Sequence, residues 1–306
     1  MTDLAPAPPA QAPRLPLHSP GTRQLNVEPG RRPTPMSEHD DDDREIEVHH
    51  EQYNARLIRR VDQTGELATF WVKFDGEHTP FEPGQYMTIG VYANGKLVQR
   101  PYSVASPPAI AGTERYEFYV RLVPILRFTT LLWRLPLGHG MRMIGPKGKF
   151  LEEPEDTRTH LFVSTGTGIA PFISMMREDM LKGKPRKTVI LHGCSFVDEL
   201  GYRDTLEAWQ HDRTYPITYV PTISRPNDPR NVGWTGRTGR VEANVLSVCH
   251  DLGLRPDRTV VYICGNPEMI LSTEAKLMGA GFPEFHVKKE LYWPKGKLAE
   301  PAAVAG

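Results

Sequence analysis

A chain of 306 residues with 37 Lys and Arg against 37 Asp and Glu carries no net charge, which gives no footprint for nucleic acid and suggests about two domains. Cys194, Cys249 and Cys264 are too few and too widely spaced for a disulfide framework or an iron–sulfur cluster, and they point to a reducing compartment. No apolar run has the length of a membrane span, and the N-terminus lacks the basic-then-apolar pattern of a secretion signal, so a cytoplasmic protein with no membrane insertion is expected.

Residues 1–48 are rich in Pro and Ala and run into Asp40–Asp43; such a tail buries too little apolar surface to offset its ordering entropy and is expected to be disordered. His49-His50 has no third ligand at metal-binding spacing, so no metal is expected. Residues 49–152 break into short β-rich runs separated by turn residues: Ala55–Val61, Ala68–Phe74, Gln85–Val91, Leu97–Ala105, Tyr116–Leu122 and Met141–Ile144. Asn94-Gly95 between two of them is a hairpin signal, and the set predicts an antiparallel β-barrel of Greek-key type. One short helix is expected within it, Thr129–Leu135, capped by Thr129 or Thr130.

Residues 153–293 alternate strand and helix: strands Thr159–Ser164, Thr188–His192, Ile217–Thr222, Thr259–Cys264 and Glu284–Lys289, with helices after Gly168 and over Leu200–His211, Val241–Leu252 and Pro267–Met278. This predicts a doubly wound α/β domain whose parallel sheet binds ligands at the carboxyl ends of its strands. The stripe of Ile169, Phe172, Ile173, Met176 and Met180 is core packing. Residues 294–306 return to tail composition.

Four stretches carry chemistry. In Arg100-Pro101-Tyr102-Ser103, Pro101 favours a strand, whose alternation puts Arg100 and Tyr102 on one face and Ser103 on the other. The cation suits a diphosphate and the ring a flat ligand; the alternative is a Pro-led surface strand. Thr165-Gly166-Thr167-Gly168 joins a strand to a helix that has Pro171 in its first turn. It is either a tight turn or a pyrophosphate site at a helix N-terminus. Cys264-Gly265 ends a later strand of the same sheet, either as a small core residue or as the wall of a site open to a flat ligand. Glu290 and Tyr292 share a face at the end of the last strand, and Tyr292-Trp293 alone reads as an apolar plug.

Together and in this order, the four stretches resemble the ferredoxin–NADP reductase family over roughly residues 50–293, the bacterial ferredoxin- and flavodoxin-reducing type above all, because Tyr292 is followed by Trp293. The resemblance implies an enzyme that exchanges electrons between NADP(H) and ferredoxin or flavodoxin through FAD, with hydride passing between nicotinamide C4 and flavin N5. It implies that Arg100 clamps the FAD pyrophosphate, with the N–H groups of Thr129 and Thr130 beside it. It puts Tyr102 and Tyr292 on the two faces of the flavin, Ser103 near N5 and Trp293 on the adenine. Thr165, Gly166, Thr167 and Gly168 would hold the NADP pyrophosphate, while Cys264, Gly265 and Glu290 would line the nicotinamide pocket with Ser103. Such an enzyme converts two-electron into one-electron traffic because its flavin handles both.

The chain departs from the family in two places. Ile125-Leu126-Arg127-Phe128 fills a stretch where relatives have a glycine, and His192-Gly193-Cys194-Ser195 stands where close relatives read His-x-x-Arg. The second departure removes a cation for the NADP 2′-phosphate. Arg225 and Arg240 remain at matching places, Tyr202 is available to stack on the adenine, and Arg203 or Arg237 is a candidate replacement. An acidic partner is expected to dock near Arg127, Lys147, Lys149, Lys288 and Lys289. The rival readings are an NADH-dependent reductase of a multicomponent oxygenase and a non-catalytic flavin- or nucleotide-binding regulator.

Overall fold

The computed structural model describes residues 45–76, 80–108 and 115–291; most of the two tails expected from composition lies outside them. Six antiparallel strands come first: β1 Ala55–Thr64, β2 Leu67–Phe74, β3 Tyr86–Ala93, β4 Lys96–Ser103, β5 Arg115–Arg121 and β6 Gly140–Lys147. Asn94 and Gly95 link β3 to β4 at φ 51° and 72°, the two positive angles that a two-residue hairpin of matching twist requires. The order β4-β3-β6-β1-β2-β5 leaves β4 and β5 at the edges. Residues just past β4 join those edges: Ala105 N–H donates to Glu117 O at 2.8 Å, and Glu117 N–H donates to Ser106 Oγ at 3.2 Å. The sheet thereby curls into a barrel around Leu57, Phe70, Met87, Ile89, Tyr116 and Phe118, all fully buried.

Helix α1, Arg127–Arg134, presses Phe128, Leu131 and Leu132 into this core. It starts two residues before the predicted helix, and neither Thr129 nor Thr130 caps it; the cap position is Leu126, without a side-chain bond. Thr129 is buried inside the first turn, where its hydroxyl accepts from Val123 N–H at 3.1 Å and donates to Val123 O at 2.9 Å. A threonine hydroxyl satisfied by the preceding turn fixes the approach to the helix instead of its end.

The second half alternates β7 Thr159–Thr165, α2 Ala170–Leu181, β8 Thr188–Cys194, α3 Arg203–His211, β9 Ile217–Ile223, β10 Arg237–Thr238, α4 Val241–Asp251, β11 Thr259–Cys264, α5 Pro267–Gly279 and β12 Val287–Glu290. The strands are parallel in the order β10-β9-β8-β7-β11-β12. Alternation divides their side chains between two cores. Phe162, Ile190 and Tyr262 meet α2 and α3, with Phe162 stacked on Phe172 at 4.5 Å, while Leu161, Val163, Leu191 and Ile263 meet α4 and α5. The α3 helix begins later than its pattern suggests because Tyr202 lies at φ 60°, outside helical space. The last strand also begins late, behind a 3-10 turn at Glu284–His286 that Pro283 introduces.

The two halves are bolted together by buried polar contacts. Arg177 on α2 donates to Glu117 Oε2 on β5 at 2.8 Å, Tyr202 donates to Glu117 Oε1 at 2.7 Å, and Ser174 Oγ donates to Ser106 O at 2.8 Å.

Candidate active site

Strand β4 carries Arg100, Pro101, Tyr102 and Ser103 up to the junction of barrel and sheet. Arg100 is exposed and returns its guanidinium to Gln99 O at 2.8 Å. It lines, with Arg127 at the start of α1, a cavity of about 460 Å³ that extends over the β3–β4 hairpin. Tyr102 lies against Phe128 of α1, ring centroids 5.8 Å apart, and burial raises its phenol pKa against the pull of Arg100, so the hydroxyl stays protonated. Ser103 is buried and donates to Glu290 Oε2 at 3.1 Å. Burial lifts the Glu290 carboxyl to about 7, with the Ser103 hydroxyl pulling it part of the way back.

Glu290 is the last residue of β12 and pairs in register with Cys264 at the end of β11, which pairs with Ser164 of β7. The loop after β7 locks onto that edge. A Cβ on Gly168 would stand 2.4 Å from Cys264 O, and one on Gly265 would stand 2.4 Å from Thr165 Oγ1. Gly265 also sits at φ 142°, which other residues rarely adopt. Thr165 Oγ1 in turn accepts from Asn266 N–H at 3.0 Å. Gly166, at φ 52° with open space above it, and Thr167 form the accessible crest of this loop ahead of α2. The residues expected to meet the nicotinamide and those expected to meet the pyrophosphate are therefore neighbours along one sheet edge, and Ser103 reaches them from the barrel.

Several expectations need correction. Thr129 and Thr130 donate their N–H groups to Leu126 O at 3.1 and 3.4 Å, so they are not the donors offered to a diphosphate; a helix leaves its first N–H groups for that, here at Arg127 and Phe128. Tyr202 is not an adenine platform: its ring is buried edge-on against Tyr119 and beneath Arg177. Arg203 is engaged by Glu207 at 2.6 Å and Arg237 by Asp251 at 2.5 Å. Lys288 and Lys289 are paired within the chain, with Glu153 at 2.8 Å and with Glu274, and offer a partner little net charge. Lys147 and Lys149 are exposed on either side of Gly148, whose Cβ position is 3.5 Å from Glu290 Oε1. Arg225 lies 5.3 Å from the Phe196 ring, and Arg240 is exposed at the start of α4. Tyr292 and Trp293 lie outside the described residues.

A residue to which the sequence assigns no role is His192, fully buried in β8 beneath the Gly166 loop. Burial lowers its pKa to about 4, with the Gly166 carbonyl opposing, and the ring is neutral at pH 7. The surrounding groups assign the tautomer: Tyr219 OH donates to Nδ1 at 3.2 Å, and Nε2–H donates to Gly166 O at 3.2 Å. Its signals in the sequence are a polar residue directly after Val189-Ile190-Leu191 and its place as the histidine of the His-x-x-Arg pattern.

Among the described residues, no helix is long and apolar enough to cross a membrane, and no group of three His, Cys, Asp or Glu is placed to hold a metal ion. Residues 54–151 match the oxidoreductase FAD-binding domain, and residues 162–275 match the oxidoreductase NAD-binding domain. The chain is 35% identical over 223 residues to ferredoxin–NADP reductase B of Sorangium cellulosum, covering 71% of this chain and 88% of that one. It belongs to the ferredoxin–NADP reductase family. The reductase is also 31% identical over 215 residues to the terephthalate 1,2-dioxygenase reductase component 1 of a Comamonas species, covering 69% of this chain and 60% of that one. Its fold matches the crystal structure of a Neisseria gonorrhoeae ferredoxin NADP+ reductase with bound FAD and NADP at a TM-score of 0.69 and 23% identity, over 80% of this chain and all of the other. This reductase is a flavin oxidoreductase built from an antiparallel barrel and a parallel α/β domain.

Proposed function

We propose that this reductase exchanges electrons between NADP(H) and a small one-electron carrier, a ferredoxin or flavodoxin. The reading rests on the Ser103–Glu290 contact, which joins the barrel strand bearing Arg100 and Tyr102 to the sheet edge bearing Cys264 and the Gly166 loop. FAD fits the barrel side: Arg100, Arg127 and the N-terminus of α1 face one cavity suited to a diphosphate, and Tyr102 presents a ring held on Phe128. FAD, when bound, takes two electrons from a nicotinamide and passes them on singly.

The chain's own residues position and protonate. Gly166, Thr167 and Gly168, at the start of the 3-10 turn ahead of α2, are proposed to offer backbone N–H groups to a pyrophosphate. Neutral His192 holds Gly166 O from below. Glu290, poised at about 7, holds or releases a proton at an oxygen 3.1 Å from Ser103 Oγ, close to where the nicotinamide end of the ligand would lie. Tyr292 is proposed, from its place two residues beyond Glu290, to cover the cofactor and give way to nicotinamide. Arg225 and Arg240 are proposed to meet the 2′-phosphate, and Lys147 and Lys149, flanking the residue next to Glu290, to attract an acidic carrier.

Purified enzyme assayed for dye reduction with NADPH and NADH, then for cytochrome reduction through a panel of ferredoxins and flavodoxins, tests this reading. Faster turnover with NADPH, and transfer to at least one carrier, is expected. NADH used as well or better would favour the second reading, an oxygenase reductase component, which the loss of an arginine at Ser195 and the similarity to the Comamonas protein support.

A further inference from the structure

We infer that Arg230 and Asp198 form the pair that sets selectivity for a 2′-phosphate; this rests on the nucleotide reading above. Strand β8 ends at Cys194, in register with Ile223 of β9, two strands along the carboxyl edge from β11. The segments that follow the two strands are sewn together by Asn231, 2% exposed. Its Oδ1 accepts from Val197 N–H at 2.8 Å, and its Nδ2 donates to Ser195 O at 3.0 Å and to Arg225 O at 2.7 Å. Asp228 accepts from Arg230 N–H at 2.9 Å and turns the chain so that the guanidinium lies 3.7 Å over the Phe196 ring. From there one terminal nitrogen donates to both oxygens of Asp198, at 2.7 and 2.9 Å.

In dinucleotide-binding sheets, an acid shortly after the second strand accepts the ribose 2′-hydroxyl, whereas an arginine there accommodates a 2′-phosphate. This chain brings both to one spot beside Ser195, and they occupy each other. Unpaired, Asp198 would repel a phosphate dianion and favour a free hydroxyl. Paired, it is neutralised by a guanidinium that a phosphate can claim instead, because phosphate is the more highly charged acceptor. Phe196 holds the guanidinium by its face, leaving its donors to exchange partners. Both side chains are about half exposed, at 45% and 47%, so an incoming ligand can reach them. Arg225, over the same ring at 5.3 Å, stands ready as a second cation.

The test is titration calorimetry of the FAD-loaded enzyme with adenosine 2′,5′-bisphosphate and with 5′-AMP, in the wild type, Asp198→Asn and Arg230→Gln. Arg230→Gln should cut the affinity ratio of bisphosphate over monophosphate by about tenfold, and Asp198→Asn should raise it severalfold, by removing the competitor. A wild type that prefers the bisphosphate, with both variants keeping its ratio, would overturn the pair while leaving NADP use intact. A wild type without that preference, in which Asp198→Asn creates one, would uphold the pair and overturn NADP as the nucleotide. Failure of every form to bind either ligand would overturn both.

Discussion

Ser103 and Glu290, 187 residues apart in sequence, share a hydrogen bond of 3.1 Å across the boundary between barrel and sheet. Because Glu290 titrates near neutrality, its state changes over the range in which the enzyme would work. A carboxyl held at about 7, above its ordinary 4.5, stabilises the fold fully below that lower value and loses the contribution as pH rises through 7. Glu290→Gln should therefore flatten unfolding stability between pH 4.5 and 7, make the protein relatively more stable at pH 8, and remove the matching inflection from the pH profile of NADPH oxidation. Urea denaturation and steady-state rates across that range measure both.

His192 works in the opposite direction. Its value of about 4 lies below the ordinary 6.5, so its contribution is complete above 6.5 and is lost as pH falls through 4. His192→Ala removes the donor to Gly166 O, and KM for NADPH should rise about tenfold with kcat little changed. The variant should also lack the part of the acid unfolding limb that His192 supplies. A fall in kcat with KM preserved would contradict the positioning role.

Arg100 has no carboxylate partner among its described contacts and folds onto its own strand. Arg100→Ala should weaken FAD retention roughly tenfold to a hundredfold, as expected for losing a charge-assisted contact to a diphosphate. Flavin fluorescence released on dilution reports this directly, without any assay of turnover.

Glu117 is shared between Arg177 and Tyr202, both from the other half of the molecule. Glu117→Ala leaves a largely buried guanidinium unpaired and should cost about 3 kcal/mol in unfolding free energy. Arg177→Met in the same background should recover part of the loss, and chemical denaturation of the two variants decides the point.

Lys147 and Lys149 are exposed on either side of Gly148, which lies close to Glu290. Charge reversal at both should lower the rate of transfer to an acidic carrier severalfold at low salt and reduce its dependence on ionic strength, with dye reduction unaffected. Identical salt slopes for wild type and variant would exclude this face as the docking site.

What was legible in the sequence was local. Asn94-Gly95 dictates its own turn, Pro101 its strand, and Gly168 a loop whose approach to Cys264 leaves no room for a side chain, so the barrel, the parallel sheet and the facing motifs followed from short-range rules. The errors concern residues whose partners are distant. Nothing near Tyr202 reveals Glu117, 85 positions earlier, and nothing near Lys288 reveals Glu153, 135 positions away. The start of α1 differs for a related reason: Thr129 has the chemistry of a cap, but its hydroxyl answers the turn at Val123 instead. Asp198 and Arg230 belong to no motif; Asn231, next to Arg230 in the same turn, brings their two segments together.

The backbone-to-backbone seating of Gly168 on Cys264 and of Gly265 on Thr165 makes these two loops a gauge of fixed span. A dinucleotide whose halves match that span meets a surface already cut to its length, so little of its binding energy goes into rearranging these two loops. Fragments carrying only one half should dock as independent pieces, each indifferent to whether the other is present.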